Sequence, residues 1–267
     1  MEYRYGFIGT GNMGGAMAKA AAKALNPSQI FLSNRTHEKA AALASKLGAT
    51  AVSVEAAATC DIIFLGVKPQ MMNDLLMEIA PILEQRKKPF SLVSMAAGLT
   101  TTRIREMAGG DYPVIRIMPN TPVAVGSGVI LYDYTDNVSK EILDAFCFSM
   151  RFAGLVDHLP EQLIDAGTSV AGCGPAFAFY FIEALTQGGV ACGLPEEKAM
   201  QYAKQMLLGS AMLALQAEDH PSKLRQAVCS PAGSTIEGVH ILEESGFADG
   251  VTQAVIASYK RNVELGK

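Results

Sequence analysis

Charge is scarce in this chain: only 18% of its 267 residues are Asp, Glu, Lys or Arg, and the formal balance is −4. With a sequence pI near 5.6, the chain has no electrostatic footprint for nucleic acid or an anionic membrane surface. Neither is expected as a partner. A cysteine framework is also missing. The five cysteines, at 60, 147, 173, 192 and 229, are odd in number, form no C-x-x-C and have no histidine cluster beside them. That pattern speaks against a zinc site and fits reduced thiols better than disulfides. Met1-Glu2-Tyr3-Arg4-Tyr5 runs straight into an apolar strand pattern, so no leader is expected. The most apolar later stretch, Ala176 to Leu185, is well short of the ~20 apolar residues of a bilayer span. Cytoplasm is the expected compartment.

Apolar residues, by contrast, are plentiful: 49% of the chain is hydrophobic, enough for a sizeable core and against wholesale disorder. The length suits two modest domains or one large one. Up to about residue 158, short β-like runs alternate with amphipathic helical runs. The expected strands are Tyr5–Ile8, Gln29–Ser33, Ile62–Val67, Phe90–Met95, Val114–Met118 and Gly128–Tyr132. Helices are expected at Met13–Leu25, Glu38–Leu47, Met71–Leu83, Thr101–Met107 and Lys140–Phe148. Parallel strands need long crossovers, so this alternation predicts an α/β fold: an N-terminal Rossmann-type doubly wound sheet over residues 1–158, built of parallel units.

Beyond Leu159-Pro160 no strand pattern remains, and residues 159–267 read as an all-α domain. Its helices are expected at Glu161–Thr168, Pro175–Ala191, Glu196–Leu215, Ser222–Ala227, Ser234–Glu244 and Ala248–Leu265. Pro175–Ala191 is apolar around most of its circumference and must be buried. So short a domain has little interior for it. A homo-oligomer interface resolves this, and a compact bundle against the first domain is the plainer alternative.

Tyr5-Gly6-Phe7-Ile8 is followed by Gly9-Thr10-Gly11-Asn12-Met13-Gly14 and then a helical run. In that strand–turn–helix context, Gly9 serves the tight turn, Gly11 the approach of backbone to a pyrophosphate, and Gly14 close helix packing. The helix N-terminus offers free N–H groups and a positive dipole end to phosphate. At the end of the second strand stands Ser33-Asn34-Arg35-Thr36, with no Asp or Glu to bind ribose hydroxyls. Neutral donors and a cation there favour the 2′-phosphate of NADP, with NADPH preferred over NADH. Thr36 equally reads as the cap of the next helix. Gly66-Val67-Lys68-Pro69 and Met95-Ala96-Ala97-Gly98 end two further strands at the same crevice, where each alone reads as an ordinary turn. Met118-Pro119-Asn120-Thr121-Pro122 closes another, with Asn120 either a ligand donor or a structural hydrogen bonder.

The first domain has no Ser-His-Asp set, no paired catalytic carboxylates and no metal cluster. The four histidines are scattered among turns and helices, and no metal is expected. In the second domain Ser230-Pro231-Ala232-Gly233-Ser234-Thr235 lies between two helical runs. Such a turn presents hydroxyls and helix N-terminal N–H groups to a carboxylate, though the same residues also make good helix caps.

These motifs resemble the pyrroline-5-carboxylate reductase family over essentially the whole chain. The similarity runs from Phe7–Gly14 through Val67-Lys68-Pro69, Met118–Pro122 and Gly172-Cys173-Gly174-Pro175-Ala176. It ends in the signature Val228-Cys229-Ser230-Pro231-Ala232-Gly233-Ser234-Thr235-Ile236-Glu237-Gly238, which separates this family from other dehydrogenases of the six-phosphogluconate type. The resemblance implies reduction of (S)-1-pyrroline-5-carboxylate to L-proline, the last step of proline biosynthesis, by an intertwined homodimer that sometimes builds decamers. It implies a cofactor site at Ile8, Gly9, Thr10, Gly11, Asn12, Met13, Gly14, Asn34, Arg35, Thr36, Ser53, Gly66, Val67, Lys68, Pro69, Met95, Ala96, Ala97 and Asn120. Substrate falls to Glu218, Ser230, Gly233, Ser234 and Thr235, with the Thr235 hydroxyl, as catalytic group, near the ring nitrogen.

Departures from the family pattern affect fine contacts. Ala171-Gly172-Cys173-Gly174-Pro175-Ala176-Phe177 replaces a commoner S-G-S-G-P-A-Y, Ser53 stands where Asn is usual, and Ala232 and Ser234 stand where Gly and Ala often occur. A reductase of another cyclic imine or of a β-hydroxy acid is the nearest rival, the latter disfavoured by the absence of a lysine from Gly172 to Ala178. A non-catalytic NADP-binding sensor is the rival of a different class, and a carboxylate cradle is what it would not need.

Overall fold

The structure, a computed structural model, describes residues 2–266. The chain forms two compact units: Met1–Cys173 with Ser258–Lys267, and Gly174–Ala257.

Unit one is built on eight strands: β1 (Tyr5–Ile8), β2 (Ile30–Ser33), β3 (Thr50–Ala51), β4 (Ile62–Leu65), β5 (Ser91–Ser94), β6 (Val114–Pro119), β7 (Gly128–Tyr134) and β8 (Gly154–His158). They lie in the order β3-β2-β1-β4-β5-β6-β7-β8. The helices are α1 (Asn12–Ala24), α2 (His37–Leu47), α3 (Val54–Ala58), α4 (Met72–Glu84), α5 (Thr101–Ala108), α6 (Lys140–Met150) and α7 (Glu161–Gly167). The central strands are buried on both faces, which is why they read as unbroken apolar runs rather than alternating ones. Phe7, Ile62 and Phe64 pack toward α1 and α6, whereas Ile8, Ile63 and Leu65 pack toward α3, α4 and α5. Phe7 stacks on Phe64 with centroids 4.4 Å apart, a pairing worth about 0.5–1.5 kcal/mol beyond its area.

Strands β1 to β6 are parallel as expected, but β7 runs antiparallel to β6 and β8 runs parallel to β7. The connection from β6 to β7 holds only a short 3-10 turn, Thr121–Val125. It is too short for a crossover, so the chain folds back; α6 then supplies the crossover to β8. Sequence patterning passes over β3, α3 and β8. The first two are only two and five residues long, and β8 is an edge strand whose Leu155 is 59% exposed.

By its packing, the first compact unit continues past residue 158. The helix α7 and the π-turn Thr168–Gly172 belong to unit one, as do the last residues of α12 (Phe247–Leu265). The reason is a set of polar ties. Arg116 on β6, 3% exposed, pairs with Glu161 at 3.2 Å and Asp165 at 3.4 Å. Glu161 also accepts from the N–H and hydroxyl of Thr101 at 2.8 and 3.1 Å. Removing one partner of such a buried pair typically costs about 3–5 kcal/mol.

Unit two comprises α8 (Gly174–Ala191), α9 (Glu196–Gln216), α10 (Pro221–Val228), α11 (Ser234–Glu244) and the start of α12. Gly193, at φ +94, turns the chain between α8 and α9, which pack so closely that a Cβ on Gly189 would lie 2.9 Å from Ala199 Cβ. Among the described residues of this unit only Thr186, Ala199 and Ala203 are buried. Phe179, Tyr180, Leu208, Met212, Leu213 and Leu215 are all more than half exposed. An apolar surface of this extent marks an interaction site. Glu161–Ala191 is one helical run of 31 residues, long and apolar enough by length and composition to cross a membrane. The run is thus longer than Ala176 to Leu185 suggests, because the polar turn at 167–174 stays helical through the π-turn.

Candidate active site

The C-terminal ends of the parallel strands gather most of the sequence-predicted cofactor residues. At the exit of β1, Gly9 takes φ +95, and its N–H donates to the Ser33 carbonyl at 2.8 Å, tying the turn to β2. The N–H of Gly66, just past β4, donates to the Ile8 carbonyl at 2.7 Å. A Cβ on Gly14 or on Gly66 would strike the Gly9 carbonyl oxygen, whereas one on Gly11 would meet nothing within 4 Å. The glycines therefore divide their work: two permit packing, and Gly11 keeps open space in front of the helix.

Behind that space α1 begins at Asn12, with Gly11 as an extended cap that offers no side-chain bond and no acid in the first turn. Its first N–H groups and its positive dipole end are open to an anion. The neighbouring Thr10 donates its N–H to Asn34 Oδ1 at 3.2 Å, and its buried hydroxyl has no protein partner. An orphaned donor beside an uncapped helix end and a missing Cβ is what a dinucleotide pyrophosphate fits.

Asn34 donates its Nδ2 to the Thr36 carbonyl at 3.2 Å, which shapes the turn after β2. Arg35 is exposed there, with no partner among the described residues. Thr36 occupies the cap position of α2, but its side chain makes no cap bond. The capping reading of that hydroxyl is therefore corrected, and the side chain stays free beside Arg35. Ser53 caps α3, accepting from Ala56 N–H at 3.3 Å. Past β4, Val67 is half-buried and Lys68 exposed, and Pro69 opens a 3-10 turn. After β5, Ala96 is buried between half-buried Met95 and exposed Ala97. Asn120, 8% exposed, spends its amide inside the protein, donating to the Ala171 carbonyl at 2.9 Å and accepting from Val129 N–H at 2.9 Å. Of the two readings of Asn120, the structural bond is the one its side chain makes.

In unit two the predicted carboxylate loop is a tight turn, closed by the Gly233 N–H donating to the Ser230 carbonyl at 3.0 Å. Ala232 sits at φ 56, in left-handed backbone that glycine adopts without cost. A Cβ on Gly233 would displace Ser230 Oγ from its place in the turn. Helix α11 starts at Ser234 behind a cap that makes no side-chain bond. Ser230, Ser234 and Thr235 are exposed, and no partner engages their hydroxyls among the described residues. The loop thus brings together neutral donors and a helix dipole, the chemistry of a site for one small carboxylate. Glu218 is exposed ahead of α10, beside Asp219, which pairs with Lys223 at 2.9 Å.

Sequence reasoning missed the cluster of buried Arg116 with half-buried Glu161 and Asp165. Its one signal was an arginine inside the apolar run Val114-Ile115-Arg116-Ile117, which a buried strand tolerates only with partners.

A glycine turn and an open helix end at the strand termini of such a sheet define a dinucleotide-binding oxidoreductase domain. Residues 4–98 accordingly match the family described as NADP oxidoreductase, coenzyme F420-dependent. Residues 161–265 match pyrroline-5-carboxylate reductase dimerisation. The chain is 37% identical to a pyrroline-5-carboxylate reductase of Escherichia coli, over 100% of both chains. It superposes on one from Coxiella burnetii with TM-score 0.92 at 31% identity, covering 100% of each. A Plasmodium falciparum pyrroline carboxylate reductase with NADP bound gives TM-score 0.88 at 29% identity, again over 100% of each. The chain belongs to the pyrroline-5-carboxylate reductase family, and its helical region is that family's dimerisation domain.

Proposed function

We propose that this chain reduces (S)-1-pyrroline-5-carboxylate to L-proline with NADPH, the last step of proline synthesis, as a homodimer. Reduced nicotinamide, when bound, supplies the hydride. The chain's own residues supply binding and orientation. The glycine turn and α1 hold the pyrophosphate through backbone N–H groups, and Thr10 adds its hydroxyl. Arg35, with Asn34 and Thr36, receives the 2′-phosphate, which is the basis for NADPH over NADH. Ser53, Val67, Lys68, Pro69, Met95, Ala96 and Ala97 line the rest of the crevice, and Asn120 contributes by fixing the backbone behind it.

The Ser230–Thr235 loop grips the substrate carboxylate and so aims the C=N carbon. Thr235 hydrogen-bonds the ring nitrogen as it gains electron density, and Glu218 lies on the approach to the loop. A protonated imine needs no strong general acid, which accounts for a site built of hydroxyls and backbone. Orientation of this kind is worth about 7–11 kcal/mol of barrier.

The observation that carries the reading is the turn with left-handed Ala232 and side-chain-free Gly233 ahead of an uncapped helix. A protein that merely sensed NADPH would not need it. The partner of the apolar faces of α8 and α9 is a second copy of the chain rather than a bilayer, and decamers are the larger assembly the family resemblance implies. Five unpaired cysteine thiols suit a cytoplasmic setting.

The test is NADPH oxidation with pyrroline-5-carboxylate beside a panel of other cyclic imines and β-hydroxy acids. Preference for the five-membered carboxylated imine is expected. Turnover only with another member of the panel, or tight NADPH binding with none, would overturn the assignment.

A further inference from the structure

We propose that Arg116 and Asn262 are positioning residues for this reduction, fastening to the sheet the two helical segments through which the chain leaves and re-enters the dinucleotide unit. The inference rests on the preceding assignment of cofactor to unit one and of the carboxylate loop to unit two.

The chain passes between the units twice, after Cys173 and before Ser258. On the outward path, α7 and the π-turn are held from two sides. Arg116 reaches Glu161 and Asp165 with two arms of its guanidinium, and Asn120 Nδ2 takes the Ala171 carbonyl. On the return path, Asn262 Nδ2 donates to the Asp165 carbonyl at 3.3 Å and to Ser169 Oγ at 3.2 Å. The end of α12 then rests against Gly98, where a Cβ would lie 2.8 Å from the Leu265 carbonyl oxygen. Both crossings are therefore fastened to each other, to β6 and to the loop after β5, where sequence places cofactor contacts.

Two features point to geometry rather than cohesion. Arg116 is nearly sealed from water with its Nε unpartnered, an arrangement that apolar residues of similar size often match in stability. What a planar guanidinium adds is direction, since its fork fixes two carboxylates in one orientation. The π-turn is the second feature. Its wider winding leaves carbonyl groups out of the α-helical pattern, and Asn120 takes one of them from outside the helix. The outgoing helix therefore cannot rotate about its axis without breaking named bonds.

The experiment uses the full-length assembled enzyme and the variants Asn262→Ala, Ser169→Ala, Arg116→Lys and the Asn262/Ser169 double variant. Steady-state kcat, NADPH affinity by fluorescence titration and thermal midpoint are measured on each. Asn262→Ala is expected to lower kcat by about ten- to a hundredfold, the scale of an ångström of misplacement. NADPH affinity should stay within about twofold, a division that loss of fold alone would not give. Ser169→Ala should reproduce part of the loss, and the double variant should lose little more than Asn262→Ala alone. Arg116→Lys, with its charge kept and its fork lost, should also lower kcat.

Folded Asn262→Ala with wild-type kcat would overturn the proposal. So would fully multiplied losses in the double variant. If Asn262→Ala does not fold, Ser169→Ala and Arg116→Lys decide alone, and wild-type kcat in both refutes the clamp. Wild-type enzyme inactive on every cyclic imine would refute the functional assignment instead.

Discussion

Replacing Gly11 with alanine should separate cofactor binding from folding. The backbone there, φ −67 and ψ −165, is open to any residue, and the new methyl group would meet no protein atom within 4 Å. The fold pays only the poorer cap, about 0.5–1 kcal/mol, or roughly 1–4 °C in thermal midpoint for a chain this size. The methyl group would instead occupy the space in which phosphate meets the N–H groups of α1. Losing a helix-terminal anion interaction of up to about 2 kcal/mol, and a charge-assisted hydrogen bond of about 1.5–3 kcal/mol, should weaken NADPH by at least about tenfold. Gly14→Ala provides the contrast. Its methyl group is driven into the Gly9 carbonyl, so overpacking of about 1–3 kcal/mol falls on stability itself. Fluorescence titration with NADPH and melting curves with and without it read both effects. Gly11→Ala binding NADPH within about twofold of wild type, or Gly14→Ala melting like wild type, would refute the division of labour.

Thr235→Ala should lower kcat/KM by the loss of one hydrogen bond, about 0.5–3 kcal/mol, in NADPH-oxidation assays; wild-type turnover would remove the role. Arg35→Ala should weaken NADPH while sparing NADH, and equal losses with both would count against the phosphate contact. Burial lifts the Cys60 thiol to about 12 and, together with the nearby Tyr3 and Asp61 charges, the Tyr5 phenol to about 12. Both hold their protons more tightly folded than unfolded, so their stability contribution is complete below about pH 9 and drains away as pH rises toward about 12. Melting temperature should thus fall steeply with alkali, and Cys60→Ala should show a shallower fall; an unchanged slope would contradict the burial argument.

The central half of the sheet is legible in the sequence because burial on both faces leaves nothing but apolar runs, as in Ile62–Leu65. Strand direction is not written in such a run. It is set by the length of the connection, and the short link from Pro119 to Gly128 turns β7 against β6. The edge strand β8 carries Gly154, Asp157 and His158, which have no periodicity to read. At the candidate site the backbone conformation was legible at Gly9–Gly14 and Ser230–Thr235, because glycine and turn residues mark conformation directly. Less legible were Thr36 and Asn120, whose side chains suit a cap, a ligand or an internal bond equally. The partners of Arg116 lie 45 and 49 residues away, beyond the reach of any local pattern.

The helical unit seals only three of its described residues from water. A unit so poor in interior gains its stability on self-association, so that stability should depend on protomer concentration. Dilution should therefore cost this chain the Ser230–Thr235 turn before it costs the sheet, leaving a subunit whose strand-end glycine turn is still formed.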